Sequence, residues 1–480
     1  MSSYFRRAFA CLLPWLPIGL LTLTGCASIP TVPDDIPAQN GAEIAVRDGR
    51  GRLSQRETSA LLKKLAAQSP DADELRRHLV VEQTLSGRPL YSGNLVTTLR
   101  DGPDAFQATF AAIHQAQHSL CLEYYILEDV RWGSEQLSDL LIARAHDGVQ
   151  IDVLYDALGS GSTPKGFFER LRENGIRVRV FNSFDMLSPY SSLNSRDHRK
   201  ILVADGAVAI MGGVNLSTDY QSIGSGPGEH PSGATGAGSG SKPPAGQGAS
   251  HELWHDTDLK IEGPAVHELE HLFADHWKSV GGTGDELPDV QDQPEARGDE
   301  VVRIIGSEHG KLVPRYYSAL LASIRAATAQ VWVTAAYFVP TYQERQALAR
   351  AARRGVDVRL LLPSHSDSGP ALAVQQSYYG RLLHAGVKIY ERQDGILHSK
   401  TVITDGVWSI VGSSNFDNRS VLYNDEVDAV VIGRSTGTQL QHYFQDGLSH
   451  AQQIEADSWR QRPFKRKLRE RFWRLWEHWL

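Results

Sequence analysis

The sequence predicts an α/β protein built from two α/β sandwich halves, related by a pseudo-twofold axis and forming one shared active site. Three observations lead there. The segment H-R-K-I-L-V-A-D-G-A-V-A-I-M-G-G-V-N from His198 is repeated as H-S-K-T-V-I-T-D-G-V-W-S-I-V-G-S-S-N from His398. His, Lys, Asp, Gly206/Gly406, Ile210/Ile410, Gly212/Gly412 and Asn215/Asn415 coincide, which chance would hardly produce in two windows of this length. Upstream of each copy the same order recurs: a strand-like run (Ser119 to Ile126, Gln330 to Tyr337), an Ala/Leu/Arg-rich helix ending at Gly148 or Gly355, an apolar strand (Ile151 to Tyr155, Val358 to Leu362), and a helix closing at Gly175 or Gly386. Strands alternating with helices make layers around buried strands. Finally, 480 residues with 41% hydrophobic and 22% charged suffice for two domains of ordinary size.

From the N-terminus, Arg6 and Arg7 precede an apolar stretch, Ala8 to Leu23, interrupted by Pro14 and Pro17. This is shorter than the roughly 20 residues a spanning helix needs, so residues 1–25 are expected to be a secretory signal. The tetrapeptide Leu23-Thr24-Gly25-Cys26 resembles a bacterial lipobox, which makes Cys26 the expected lipidation site. Acyl chains contribute roughly 0.8 kcal/mol per buried methylene, and two or three of them hold a protein firmly on a bilayer. The expected location is the bacterial cell envelope, lipid-anchored on the periplasmic side; Ala27 after the Cys favours the outer over the inner membrane. Residues 26–90 are expected to comprise a Pro/Asp/Gly-rich tether, over 27–55, and a helical segment. The first half is placed at 91–285 and the second at 300–450.

Between Ser222 and Ser250 the chain is dominated by Gly, Ser, Pro and Ala, a composition that buries no core and predicts a mobile loop. Allowing for it restores the repeat: Asp256-Thr-Asp258-Leu-Lys-Ile261 superimposes on Glu426-Val-Asp428-Ala-Val-Val431. The C-terminal segment, 451–480, carries Phe464, Leu468, Phe472, Leu475, Trp476 and Trp479 at helical spacing, with Lys465, Arg466, Lys467, Arg469, Arg471 and Arg474 between them. That is the composition of a basic amphipathic helix lying on anionic lipid.

A net charge of -7 excludes a whole-surface polyanion binder, so attraction to phosphate must be local and no nucleic-acid partner is expected. Three cysteines, Cys11, Cys26 and Cys121, encode neither a disulfide framework nor a zinc site, and Cys121 is expected to be a buried, unreactive thiol.

The chemistry follows from the repeat. In a strand, His198 and Lys200 share a face, as do His398 and Lys400. Two such pairs across a twofold offer two imidazoles for nucleophilic attack and proton transfer, and two ammonium groups for a phosphate. Asn215, Asn415 and Ser413 would bind the phosphate oxygens, with no metal or other cofactor required. Asp256 and Glu426 are placed to bond the second ring nitrogens of the histidines and fix their tautomers. Asp205 and Asp405 complete the motif, their more plausible part being to brace it. The remaining histidines are expected to be surface or structural, and Gly212, Gly213 and Gly412 tight-turn glycines.

A duplicated His-x-Lys-x4-Asp followed by Gly-Gly/Ser-x-x-Asn resembles the phospholipase D superfamily over roughly residues 95–450. Gly412 to Ser420 with Asn424-Asp425-Glu426, Glu123-Tyr-Tyr-Ile126 and Ile261-Glu-Gly-Pro-Ala265 look like its bacterial cardiolipin synthase branch. The resemblance implies the phospholipase D fold and a phosphatidyltransferase with phospholipid substrates. It implies a phosphohistidine on His198, proton transfer by His398, and phosphatidylglycerol as acceptor. A hydrolytic phospholipase D, a nuclease of the same fold, and a catalytically idle lipoprotein scaffold are the alternatives.

Overall fold

The computed structural model describes residues 29–34, 44–182, 194–221, 253–283, 287, 294–307 and 314–479. The signal segment, Cys26 and the Gly-rich stretch 222–250 lie outside the described residues, as does the Trp479 side chain.

Each half builds the same sheet. In the first, Arg177–Phe181, Gln150–Asp156 and Ser119–Tyr124 run parallel, followed by antiparallel Lys200–Ala204, Val208–Gly212, Thr257–Glu262 and Leu90–Arg100. The second repeats the order with Lys388–Arg392, Asp357–Pro363, Gln330–Thr334, Thr401–Thr404, Trp408–Gly412, Asn424–Ile432 and Glu300–Ser307. Leu90–Arg100 joins the two sheets, because its first residues also pair with Glu300–Ser307. The registers Gly212↔Asp258 and Gly412↔Asp428 put Asp256 and Glu426 at matching positions of the repeat.

Strand side chains alternate faces, and the apolar core divides accordingly. Ile201, Val203, Ala209 and Met211 point into a core shared with Ile403, Val411, Val427 and Ala429 of the other sheet; the helices Val266–Ser279 and Arg434–Ser449 fill it with Phe273, Trp277 and Phe444. Leu202, Ala204 and Ile210 face outward onto Asp101–Gln115, Leu137–His146 and Lys165–Glu173. On the far side, Val402 and Ile410 face Arg315–Ala326, Tyr342–Arg353 and Gly369–His384. Burial of Cys121 pushes its thiol well up, so it stays protonated and unreactive.

The expected tether is in part folded. Val32, Ile44 and Val46 are buried in the core of the second half, Val46–Asp48 pairs with Leu90–Arg100, and Asp34 pairs with Arg325 and Arg350. Its polar composition concealed a few apolar residues at docking positions. The helices Gln55–Ala66 and Ala72–Ser86 also join that core, through Leu65, Leu75 and Leu79.

Candidate active site

Two short parallel ladders stitch the halves together and create the site. Arg196–Asp197 pairs with the start of Asn424–Ile432 in the register Asn424↔Arg196 and Asp425↔Asp197. Trp254–His255 pairs with Ile396–Leu397 in the register Trp254↔Ile396 and His255↔Leu397. One residue beyond each ladder stand His198 beside Glu426 and His398 beside Asp256. The backbone continues the pairing, with His198 N donating to Asp425 O at 2.9 Å and His398 N to His255 O at 2.7 Å.

The side chains therefore pair across the halves. His198 Nδ1 lies 2.9 Å from Glu426 Oε2, and His398 Nδ1 lies 2.7 Å from Asp256 Oδ2. A carboxylate on Nδ1 holds the proton there and leaves Nε2 with its lone pair. Gly213 makes room for this: a Cβ on it would lie 2.1 Å from Asp256 Oδ1. Gly212 and Gly412 similarly abut Asp258 and Asp428, so close approach of carboxylates, not a tight turn, accounts for these glycines.

Both imidazoles are held below the ordinary range, His398 being buried and His198 partly so. For His198 the cause is burial, which outweighs Glu426, reinforced by Lys200 and Lys400. His398 is pushed down to about 4 by burial and the adjacent Lys400, against the pull of Asp256. Burial pushes Lys200 down to about 7, and lowers Lys400 as well. Both rings are neutral at physiological pH, which suits a nucleophile. An incoming phosphodiester anion would raise His398 toward the protonated form that a general acid requires.

His198, His398, Asn215 and Asn415 line one cavity of about 530 Å³, together with Tyr125, Tyr220 and Trp254. The lysines lie behind the rings. Lys200 Nζ donates to His198 O at 2.6 Å and sits 5.2 Å from the Tyr125 ring; Lys400 Nζ is 2.8 Å from His398 Nδ1. The motif histidines also precede their strands, which begin at Lys200 and Thr401.

Three predicted site residues stand elsewhere. Asp205 and Asp405 occupy the far ends of those strands with positive φ, and their carboxylates accept backbone N–H groups. Asp205 takes those of Gln117, His118 and Ser119; Asp405 takes those of Thr328, Ala329 and Gln330. Four residues of strand separate them from the chemistry, so they brace turns. Ser413 is fully buried and donates to Glu426 Oε2 at 2.5 Å, which makes it a support for that carboxylate and not a phosphate ligand.

Other residues of the site escaped the sequence reading. Tyr220 OH lies 2.9 Å from His398 Nδ1 and accepts from Asn215 Nδ2 at 3.3 Å, and Trp254 packs on the same ring. A signal existed: Tyr220 follows Asn215 by the interval at which Ser420 follows Asn415, and Ser420 Oγ donates to Glu426 Oε1 at 2.8 Å. Arg196, Arg419 and Asp417 also line the cavity. Behind His198 lies a buried ionic cluster of Glu123, Asp197, Arg199, His276 and Asp425. Burial alone would discharge His276, but Glu123 and Asp197 outweigh it and push the ring up to about 10.

Comparison with known proteins bears on the family and the fold. The family described as "Cardiolipin synthase, PLD-like domain" matches residues 110–223 and 320–447. A cardiolipin synthase of Geobacillus kaustophilus is 31% identical over 411 residues, covering 85% of this chain and 76% of the relative. Cardiolipin synthase A of Pseudomonas putida is 33% identical over 375 residues, covering 78% and 72%. In structure, the phosphatidylserine synthase of Haemophilus influenzae superposes with a TM-score of 0.61 at 12% identity, covering 85% of this chain and all of that one, a likeness of fold.

Proposed function

This chain belongs to the phospholipase D-like cardiolipin synthase family, and on that premise we propose that it transfers a phosphatidyl group to phosphatidylglycerol through a covalent phosphohistidine on His198. It is a phosphatidyltransferase of the phospholipase D superfamily. The observation that carries the finer reading is the pair of neutral imidazoles, each fixed by a carboxylate of the opposite half, on the wall of one cavity.

In the first step, Nε2 of His198 bonds to the phosphorus of the donor lipid as the bond to the head-group oxygen breaks. His398, protonated as the anionic ester arrives, gives its proton to that oxygen, and the head-group alcohol leaves. Glu426 stabilises the charge that develops on the His198 ring. In the second step, neutral His398 removes the proton from a hydroxyl of phosphatidylglycerol. That oxygen attacks phosphorus, the phosphorus–nitrogen bond breaks, and His198 returns to its starting form. Asn215 and Asn415 on the cavity wall, with Lys200 and Lys400 behind the rings, offset charge on the non-bridging oxygens. Cys26 would anchor the chain on the periplasmic side of the envelope, at the outer membrane.

The test is lipid product analysis by mass spectrometry of wild type beside His198→Ala and His398→Ala, with phosphatidylglycerol present. Wild type should form cardiolipin and a free head-group alcohol, and both variants should lose this. Phosphatidic acid appearing in its place would assign water as the acceptor and reject the transferase reading.

A further inference from the structure

The C-terminal helix Phe464–Trp473 docks on the protein by its ionic face and turns its apolar face outward. Inward, Glu470 is buried and pairs with Arg462 at 2.6 Å, while Arg462 and Arg466 stack on the ring of buried Trp459. In the short 3-10 helix Arg474–Trp479 that follows, Arg474 lies over the Tyr378 ring and Glu477 accepts from Tyr378 OH. Outward, Phe464 is 77% exposed, Leu468 59%, Phe472 53%, Leu475 76% and Trp476 51%. At 100° per residue, Phe464, Leu468 and Phe472 form one stripe, with Lys465 and Arg471 on its flanks and Arg469 beyond, all three exposed, and Leu475 and Trp476 are exposed in the segment that follows. A helix held to its own domain only for packing would bury those apolar side chains. This one leaves them in solvent and buries a glutamate.

The C-terminal segment that carries the stripe is tied to residues next to the active-site cavity. Asn418 Nδ2 donates to Glu477 O at 2.9 Å, and its chain neighbours Asp417 and Arg419 line the cavity. The helix Gly369–His384, which carries Tyr378 against the C-terminal segment, contributes Ala371 to the cavity wall near its other end. Leu158, another lining residue, is 48% exposed. We propose that Phe464, Leu468, Phe472, Leu475 and Trp476 insert into the interfacial layer of an anionic bilayer, with Lys465, Arg469 and Arg471 on its head groups, so that the cavity mouth abuts the membrane and lipid substrate enters without crossing water. The charge selects the occupant: a chain of net charge -7 gathers cations around its exposed apolar stripe, and anionic lipid satisfies both. Among the described residues no helix is long and apolar enough to cross a membrane, so the surface is interfacial. The inference rests on the reading above for what enters the cavity, not for the docking itself.

The experiment uses the full chain with vesicles of phosphatidylethanolamine and phosphatidylglycerol carrying brominated acyl chains. The Trp476 contribution to fluorescence is isolated by difference from Trp476→Phe, and repeated in a His198→Ala background. Quenching of that component in these vesicles, and much less in pure phosphatidylcholine, is the expected result. The triple variant Phe464→Ser/Leu468→Ser/Phe472→Ser should lose the quenching and at least about tenfold of turnover on vesicles. It should keep turnover of monomeric short-chain phosphatidylglycerol. An unquenched Trp476, self-association through the stripe in place of quenching, or equal losses on both substrates would overturn the proposal. Quenching without any lipid transfer by wild type would support the docking and reject the catalytic reading.

Discussion

At the scale of single residues, the site works by controlling where protons sit. His198 is held below the ordinary imidazole range by burial and by the cations of Lys200 and Lys400, so it remains a neutral nucleophile as pH falls. The acid limb of kcat/KM should therefore lie below about 6.5, the value of an unperturbed histidine. Lys200→Met removes one of those cations, which lets His198 keep its proton to higher pH and moves the acid limb upward. Because burial pushes Lys200 down to about 7, the wild type should also lose a phosphate-binding cation as pH rises through that value. That alkaline limb should be absent from Lys200→Met. A pH–rate profile of both proteins checks the two shifts, and an acid limb that stays put or moves down in the variant counts against the assignment. The motif residues were legible because the repeat singled them out. Tyr220 was marked only by its repeat position, five residues after Asn215 as Ser420 follows Asn415, and Trp254 not at all, since an aromatic side chain in sequence gives no sign of the ring it will touch.

At the scale of elements, the repeated strand has a chemical end and a structural end. Lys200 opens it and Lys400 immediately precedes it beside the imidazoles, while Asp205 and Asp405 follow its far end in left-handed turns, tied to the strand alongside. Asp405→Ala deletes three backbone hydrogen bonds to a carboxylate and one from Thr328 Oγ1, at a site partly open to water. It should cost about 2 kcal/mol, read as a lowered urea midpoint, with kcat of the folded protein within about twofold of wild type. A large loss of kcat at full stability would restore a direct role for this aspartate. Sequence placed Asp205 and Asp405 within the catalytic motif because it is contiguous, with bracing as their more plausible part. Five residues of extended chain span about 16 Å, which is why contiguity does not mean contact.

At the scale of the whole molecule, the two halves make one enzyme because their ends are interleaved, and a buried ionic cluster locks the join behind His198. Glu123, Asp197, Arg199 and His276 come from the first half and Asp425 from the second. Removing His276 leaves three buried acidic groups of the cluster facing Arg199 as its remaining cation, so His276→Gln should cost about 3 kcal/mol at neutral pH. The folded ring is raised to about 10 by Glu123 and Asp197 against the opposing effect of burial. Its contribution is therefore complete below the unfolded value near 6.5 and lost as pH rises through about 10. Denaturant unfolding at about pH 6 and at about pH 10.5 should show the difference between wild type and variant narrowing. A difference that widens with pH would mean the ring is neutral in the fold.

The sequence by itself determined the repeated α/β order, the paired imidazoles and lysines, and the two acidic followers, because these are local patterns of period, spacing and residue type. Only the tertiary structure decided that Asp256 serves His398 and Glu426 serves His198. Each acid lies on the same chain half as the other histidine, and the choice between partners was made by two parallel ladders that form only when the halves meet. Which face of the C-terminal helix turns outward was settled the same way, by a buried glutamate whose partner, Arg462, lies outside the helix itself.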